Sequence, residues 1–204
     1  MLHLRLNLIG AGPSALDDCV KYVKGEFRPA LADQPGSLGL SLLISPGLGV
    51  AIVESFWASA HALRASESVA ASLQAELAQR ARASVTTEQY RILVFERGAP
   101  PHGGEAVRLT RMQAKPSAVE DVAEAFGDSA VPWLAETPGF RAALLLADPD
   151  SGHMISQSVW RDPRARAASP STAEVIQADV LSASDFVIRA VEDYSLVFSS
   201  ARKS

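Results

Sequence analysis

Residues 3 to 7, His-Leu-Arg-Leu-Asn, place three hydrogen-bonding side chains at every second position, with Leu2, Leu4, Leu6 and Leu8 in the alternate places. Positions two apart share one face of a β-strand. His3, Arg5 and Asn7 therefore form the densest polar group expected inside the protein. Arg5 and Asn7 could hold a developing oxyanion, and one such buried hydrogen bond supplies roughly 3 kcal/mol to a transition state. Trp57 closes an apolar run and could wall a pocket for a flat apolar ligand, while His61, one turn further on, could take a proton near neutral pH. Each residue also has a plain structural reading. A buried arginine must find a carboxylate or a carbonyl. The polar trio could satisfy itself, Trp57 could be a core aromatic between sheet and helix, and a histidine at a helix start could be merely solvated.

The elements that would position these residues are written twice. Shifted by 103 residues, Pro35-Gly36 falls on Pro138-Gly139, Leu42-Leu43 on Leu145-Leu146, Ser55 on Ser158, Trp57 on Trp160 and Val94-Phe95 on Val197-Phe198. Arg5 falls on Arg108, so Arg108 and Trp160 become the second copy's candidates for ligand contact. Trp133 has no aromatic partner in the first copy and could close a cavity or simply pack. One offset serves the whole half without a gap. The chain reads as a tandem duplication with repeats at 1–98 and 104–204, joined by the Gly- and Pro-rich link "GAPPHGG".

The repeat also bears on "LNLIGAGPSAL", residues 6–16, which has the form of a strand running into a dinucleotide-binding loop. Gly10 and Gly12 fall on Gln113 and Lys115, so the second copy makes the same turn without the glycines that a pyrophosphate needs. Both copies keep a helix start, with Ser14 and Ser117 as expected caps and Asp17 and Glu120 three residues on. No nucleotide site is expected.

Each copy reads β-α-β-β-α-β. In the first, strands are expected at 2–9, 37–45, 50–57 and 88–97, with helices at 14–32 and 59–82. In the second, strands are expected at 105–112, 139–147, 152–160 and 187–199, with helices at 117–135 and 162–182. Ser59 and Asp162 are expected helix caps. "LSLLI" and "ALLLA" are apolar on both sides, as in a sheet buried on both faces. The fold expected is α+β: two ferredoxin-like repeats packed sheet to sheet as a barrel within one chain.

"QPGSLGLSLLISPGLGVAIVESFWASAHAL", residues 34–63, resembles the antibiotic biosynthesis monooxygenase (ABM) family of dimeric α/β barrels through Pro35-Gly36, Leu38-Gly39, Trp57, Ser59 and Ala62-Leu63. The second copy keeps Pro138-Gly139, Phe140, Trp160 and Asp162. The resemblance implies a single-chain version of a dimer and two chemistries. One is cofactor-independent oxidation of aromatic polyketides by activating a deprotonatable substrate toward oxygen. The other is haem degradation, which in the family uses an Asn on the first strand with a Trp and a His on the helix after the third. Asn7 occupies the Asn position, but Ser66 and Ser169 stand where the His would be, and neither can ligate iron.

The net charge of −4 offers no basic excess for nucleic acid. No apolar stretch approaches the roughly 18 residues that span a bilayer. One cysteine, Cys19, fits a reducing cytoplasm and reads as a small buried hydrophobe. Four dispersed histidines (His3, His61, His102, His153) show no metal-ligand spacing, so neither metal nor cofactor is expected. The first functional expectation is a cofactor-independent monooxygenase for a small aromatic or polyketide-like substrate. In it Asn7 and Arg5 stabilise an oxyanion, His61 takes a proton, and His3, Trp57, Arg108, Trp133 and Trp160 contact ligand. The alternative is a non-catalytic small-ligand-binding or stress-related barrel. The fused chain could also associate as a homodimer through an exposed outer strand.

Overall fold

The computed structural model describes residues 1–99, 103–169 and 186–201. The chain divides into two compact units: Met1–Tyr90 with the chain from Ser195 onward, and Arg91–Tyr194. The first repeat contributes β1 (His3–Gly10), α1 (Leu16–Tyr22), α2 (Arg28–Ala32), β2 (Ser37–Ser45), β3 (Val50–Trp57), α3 (Ala60–Ala65), α4 (Glu67–Ala81) and β4 (Ser84–Arg97). The second contributes β5 (Ala106–Ala114), α5 (Val119–Ala125), α6 (Val131–Glu136), β6 (Phe140–Asp148), β7 (His153–Trp160), α7 (Pro163–Ala168) and β8 (Phe186–Ser199). His102 and the part of the 162–182 helix beyond Ser169 lie outside the described residues.

The hydrogen-bonded strand order is β1-β3-β2-β8 in the sheet of the first unit and β5-β7-β6-β4 in that of the second. In the first unit β3 lies between β1 and β2, antiparallel to both, and in the second β7 lies likewise between β5 and β6. This is the expected ferredoxin-like pattern. The two long strands are divided between the units: the end of β8 completes the sheet of the first unit beside β2, and the end of β4 completes that of the second beside β6. One face of each sheet carries the helices over an apolar core. In the first unit Val23, Phe27, Leu31, Leu40, Leu42, Val53, Trp57, Leu63 and Leu77 meet there, and in the second Val122, Phe126, Leu134, Leu145 and Trp160. The alternate β1 and β3 positions Leu4, Leu6 and Ile52 are fully buried as well.

The pairing corrects the single repeat offset. Leu42 of β2 faces Phe198, whereas its repeat equivalent Leu145 faces Val94; Leu43 faces Leu196, whereas Leu146 faces Ile92. In the last strand Val94 therefore corresponds to Phe198, an offset of 104. Both strands carry a bulge at the same place, between Ile92 and Val94 and between Leu196 and Phe198. Register follows the bulge and the buried face, not the matching letters. Tyr90 and Tyr194 obey the same offset, each donating its hydroxyl to the glutamate two residues earlier, Glu88 at 3.1 Å and Glu192 at 3.0 Å.

The expected caps divide. Ser59 accepts from the Ala62 amide at 3.1 Å and Asp162 from the Ala165 amide at 2.8 Å. That amide, helped by Arg161, holds the Asp162 carboxyl below its ordinary range. Ser14 and Ser117 do not cap. They lie inside short 3₁₀ turns, Pro13–Ala15 and Pro116–Ala118, whose capping positions are Gly12 and Lys115. The proline takes the first helical place, where no N–H is needed, and the cap falls two residues before the serine. The first helix of each repeat also widens into a π turn, Val23–Phe27 and Phe126–Ala130. Pro29 and Pro132 follow it by two residues. A proline inside a helix removes one hydrogen bond and crowds the carbonyl four residues back, and the wide turn relieves both.

The glycines of residues 10–12 belong to a docked hairpin. The amides of Ala11 and Gly12 both donate to the Gly49 carbonyl at 3.0 Å, and a Cβ on Gly49 would lie 2.7 Å from the Gly12 Cα. The duplicated Pro-Gly has a comparable role. Gly36 (φ +79°) and Gly139 (φ +94°) each approach a helix so closely that a Cβ would lie 2.6 Å from the Cβ of Ala62 or Ala165. Gly36→Ala and Gly139→Ala should each cost about 1–3 kcal/mol, from left-handed backbone plus overpacking. Gly25→Ala, in open space inside a helical segment, should be neutral or stabilising. Urea unfolding of the three variants checks this.

Candidate functional site

Arg5, fully buried on β1, is directed at the end of α3. Its Nη1 donates to Ser66 Oγ at 2.9 Å, and its Nη2 to the Leu63 carbonyl at 2.8 Å and to Glu67 Oε2 at 2.6 Å. The guanidinium also lies 5.7 Å from the Trp57 ring centre. The last carbonyls of a helix lack intrahelical partners and carry the negative end of its dipole, so a cation fits there. The second repeat rebuilds the arrangement. Arg108 donates to the Arg166 carbonyl at 2.9 Å and to the Ser169 carbonyl and hydroxyl at 3.1 and 3.2 Å. Ser66 and Ser169, notable in the sequence only as replacements for histidine, are thus the arginines' partners.

The tryptophans are equally symmetric. Trp57 and Trp160 are fully buried, and each indole N–H donates at 3.0 Å to the serine two residues earlier, Ser55 or Ser158. They fill the space between sheet and helices. Phe140 meets Trp160 edge-on at 5.9 Å. Trp133 is partly buried against the core of the second unit, and its carbonyl accepts from Thr137 at 3.1 Å. His3 is partly buried opposite Trp57 in the β1–β3 register, and His61 is exposed on the first turn of α3. Cys19 is fully buried, and burial raises its thiol pKa.

Asn7, two positions along the same face as Arg5, turns toward α4 and β4. It is fully buried. Its Oδ1 accepts from Gln74 Nε2 at 2.8 Å and from Thr87 Oγ1 at 3.1 Å. Its Nδ2 is buried with no hydrogen-bond partner among the described residues. Thr87 is exposed and Gln74 partly so, which puts both on the solvent side of the amide. At the equivalent place in the second repeat the Thr110 hydroxyl is also buried and unpartnered among the described residues. Arg5, Asn7 and Trp57 therefore share one layer, but Arg5 serves a helix end and Asn7 a separate amide–hydroxyl cluster. Gln74 and Thr87 were not legible as site residues. Gln74 lies in a helix with little amphipathic pattern, and Thr87 precedes the expected start of β4.

Two open clefts occur in the first unit, neither lined by Arg5, Asn7 or Trp57. One, about 310 Å³, is lined by Asp18, Lys21, Tyr22, Glu26 and Arg80. There Tyr22 directs its hydroxyl at Glu76 Oε2 (3.1 Å) and the Leu73 carbonyl (3.3 Å), while Arg80 pairs with Glu26 and Glu76 and lies 5.0 Å from the Tyr22 ring centre. The other, about 300 Å³, is lined by Arg28, Pro29, Ala32, Ser37, Gly39 and Ser200. No cluster of His, Cys, Asp and Glu that could hold a metal occurs among the described residues. No described helix is long and apolar enough to cross a membrane.

Residues 106–178 match the family described as antibiotic biosynthesis monooxygenase. The match lies within the second repeat. An uncharacterized protein of Mycobacterium tuberculosis is 30% identical to the chain over 148 residues, 72% of this chain and 63% of that protein. The chain thus spans a little under two thirds of that relative's length. Two solved structures share the fold over nearly the whole chain. A monooxygenase candidate from Lactobacillus acidophilus has a TM-score of 0.66 at 11% identity, covering 98% of this chain and 94% of its own. An anthrone oxidase-like protein has a TM-score of 0.66 at 16% identity, covering 97% and 92%. At such identities the likeness is one of fold.

Two outcomes follow from the geometry around Arg5 and Tyr22. Arg5→Gln should destabilise by about 3 kcal/mol, because two buried acceptors lose a charged donor. Glu67→Gln should cost under about 1 kcal/mol, since Glu67 is half exposed. Thermal and urea unfolding compare the two. Burial, then the Glu76 carboxylate, pushes the Tyr22 phenol from 10.0 up to about 12. The fold favours the neutral phenol, so this contribution is complete below the unfolded value of 10.0 and is lost as pH rises toward 12. Tyr22→Phe should flatten the fall in stability between pH 10.0 and about pH 12, read by denaturant unfolding.

Proposed function

We propose that the protein is a small-molecule oxygenase of the ABM type, independent of cofactor, whose substrate is phenolic or enolisable and is held by the Asn7 amide. The observation that carries this reading is the unpartnered Nδ2 of Asn7. A buried donor without a partner costs about 1–3 kcal/mol, and native proteins rarely retain one without a use. The groups around it suit an anionic oxygen. Gln74 and Thr87 both donate to Oδ1, which fixes the amide and directs its NH₂ away from them. A carbonyl or phenolate oxygen would complete its hydrogen bonds.

The reaction then runs on the substrate's own acidity. An activated methylene loses a proton, the conjugate base reduces dioxygen, and the carbon becomes a carbonyl with release of water: CH₂ + O₂ gives C=O + H₂O. Charge develops on the substrate oxygen as the proton leaves, and the Asn7 N–H stabilises it there. The anthrone oxidase-like neighbour supports anthrones as the first substrates to try. Arg5 acts at one remove, holding the end of α3 against β1.

A second reading, a binding protein without catalysis, is favoured by one specific feature: Arg5 is consumed by Ser66, Leu63 and Glu67. His61 is exposed, so no buried base is assembled from the residues the sequence nominated. Oxygen uptake with a panel of hydroxyanthrones separates the two. The oxygenase reading expects turnover that falls about 10²–10³-fold in Asn7→Leu while circular dichroism stays unchanged. Tryptophan quenching by the same compounds without oxygen uptake assigns the site to binding alone. Turnover that survives Asn7→Leu, or neither turnover nor quenching, refutes the role given to Asn7.

A further inference from the structure

Arg28, which lines the cleft beside Gly39, belongs to a cationic arrangement that the proposed oxygenase chemistry does not use. The Arg28 guanidinium lies 5.5 Å, and the Lys24 ammonium 5.9 Å, from the centre of the same Phe198 ring. Both cations are exposed, and neither has a carboxylate within ion-pairing distance among the described residues. Exposed cation–aromatic contacts are weak; they bear on where the two charges rest but leave their hydrogen-bond donors unsatisfied by protein. Every donor of an ammonium or guanidinium seeks an acceptor, and a phosphate offers three or more.

The cleft below is preformed. Ser200 is locked to Leu40 by three hydrogen bonds: the Ser200 amide donates to the Leu40 carbonyl at 2.8 Å, the Leu40 amide to Ser200 Oγ at 3.1 Å, and Ser200 Oγ to the Leu40 carbonyl at 3.2 Å. Gly39, at φ +112°, makes this approach possible, since a Cβ there would lie 2.3 Å from the Ser200 carbonyl oxygen. Arg28 and Ser37 place polar groups along the cleft, and Pro29 and Ala32 supply an apolar side.

The second repeat shows that the fold does not require these charges. With the offset of 103 in the helices and 104 in the last strand, Lys24, Arg28 and Phe198 correspond to Gly127, Val131 and Val94. There the same contact is apolar, and a Cβ on Gly127 would lie 3.9 Å from the Val94 side chain. One copy solves the packing with aliphatic residues while the other exposes two cations over an aromatic ring.

We propose that Lys24 and Arg28 bind a phosphate-type dianion, with its organic group, where it has one, lying in the cleft against Pro29 and Ala32. The site is separate from the Asn7 cluster and stands whether or not that cluster is catalytic. The test titrates the whole protein with inorganic phosphate and with phenyl phosphate at low ionic strength, following backbone amide shifts. Saturable shifts at Ser37, Gly39 and Ser200 are expected, with Kd on the order of 1 mM or tighter. Lys24→Gln and Arg28→Gln should each weaken binding at least about tenfold, and added salt should do the same to the intact protein. Tighter binding of phenyl phosphate assigns the site to an organic phosphate; equal binding assigns it to the free ion. Shifts that do not saturate, or that persist in the Lys24→Gln/Arg28→Gln double variant, overturn the proposal. If the double variant only loses thermal stability, the cations serve packing and the proposal also fails.

Discussion

A buried guanidinium against the end of a helix organises each repeat. Arg5 and Arg108 enter the layer between sheet and helices, where an unmatched charge would be prohibitive, and both solve the problem with the same acceptors. The exposed carbonyls of a short helix take the guanidinium, and a serine one turn beyond accepts from it. The serine hydroxyl in turn donates to a carbonyl of that helix, Leu63 at 2.7 Å or Arg166 at 2.7 Å. The helix after the third strand is thereby fixed to the first strand, and the tryptophan closing that third strand is enclosed between them. In the first unit the consequence reaches Asn7, since the helix that supplies Gln74 begins directly after Ser66.

This constraint explains a substitution that the sequence could show only as a loss. A histidine at Ser66 would stand where the Arg5 Nη1 now finds its acceptor. The arginine and the family's histidine compete for one place, and the arginine fills it in both copies. The serine that stands where the resemblance implies a histidine is therefore part of a contact repeated across the duplication. Asn7 is asymmetric: its counterpart Thr110 keeps a buried donor but cannot accept from an amide while presenting a second NH₂ group.

Much of the fold was legible because it rests on local rules. Alternation gave β1, and the expected bounds of β2 and β3 agree with those observed. The Ser59 and Asp162 caps hold because an extended residue before a helix needs only one short acceptor. Where a competing local choice existed, the reading failed. Pro13 and Pro116 displaced the caps from Ser14 and Ser117, and the last strand of the second copy runs one residue later than the offset of 103 expects, so that the matching Val-Phe letters do not occupy matching places. A bulge leaves little mark in a strand already rich in apolar residues. Its register becomes visible only when the partner strand is known.

The site was less legible for a different reason. The polar residues of β1 could be nominated from alternation alone, but their partners come from distant segments, such as Gln74 at the middle of α4 and Thr87 before the expected edge of β4. No period within one element announces that two such residues will meet over a third. Comparison between copies is more informative once the register is corrected. A feature present in both repeats, such as the indole-to-serine hydrogen bond or the glycine against α3 and α7, belongs to the fold. A feature in one copy only has escaped that requirement. By this criterion Trp57 and Arg5 belong to architecture. The Asn7 amide with its donors, and the Lys24–Arg28–Phe198 group, occur in the first repeat alone, so the shared fold does not require them.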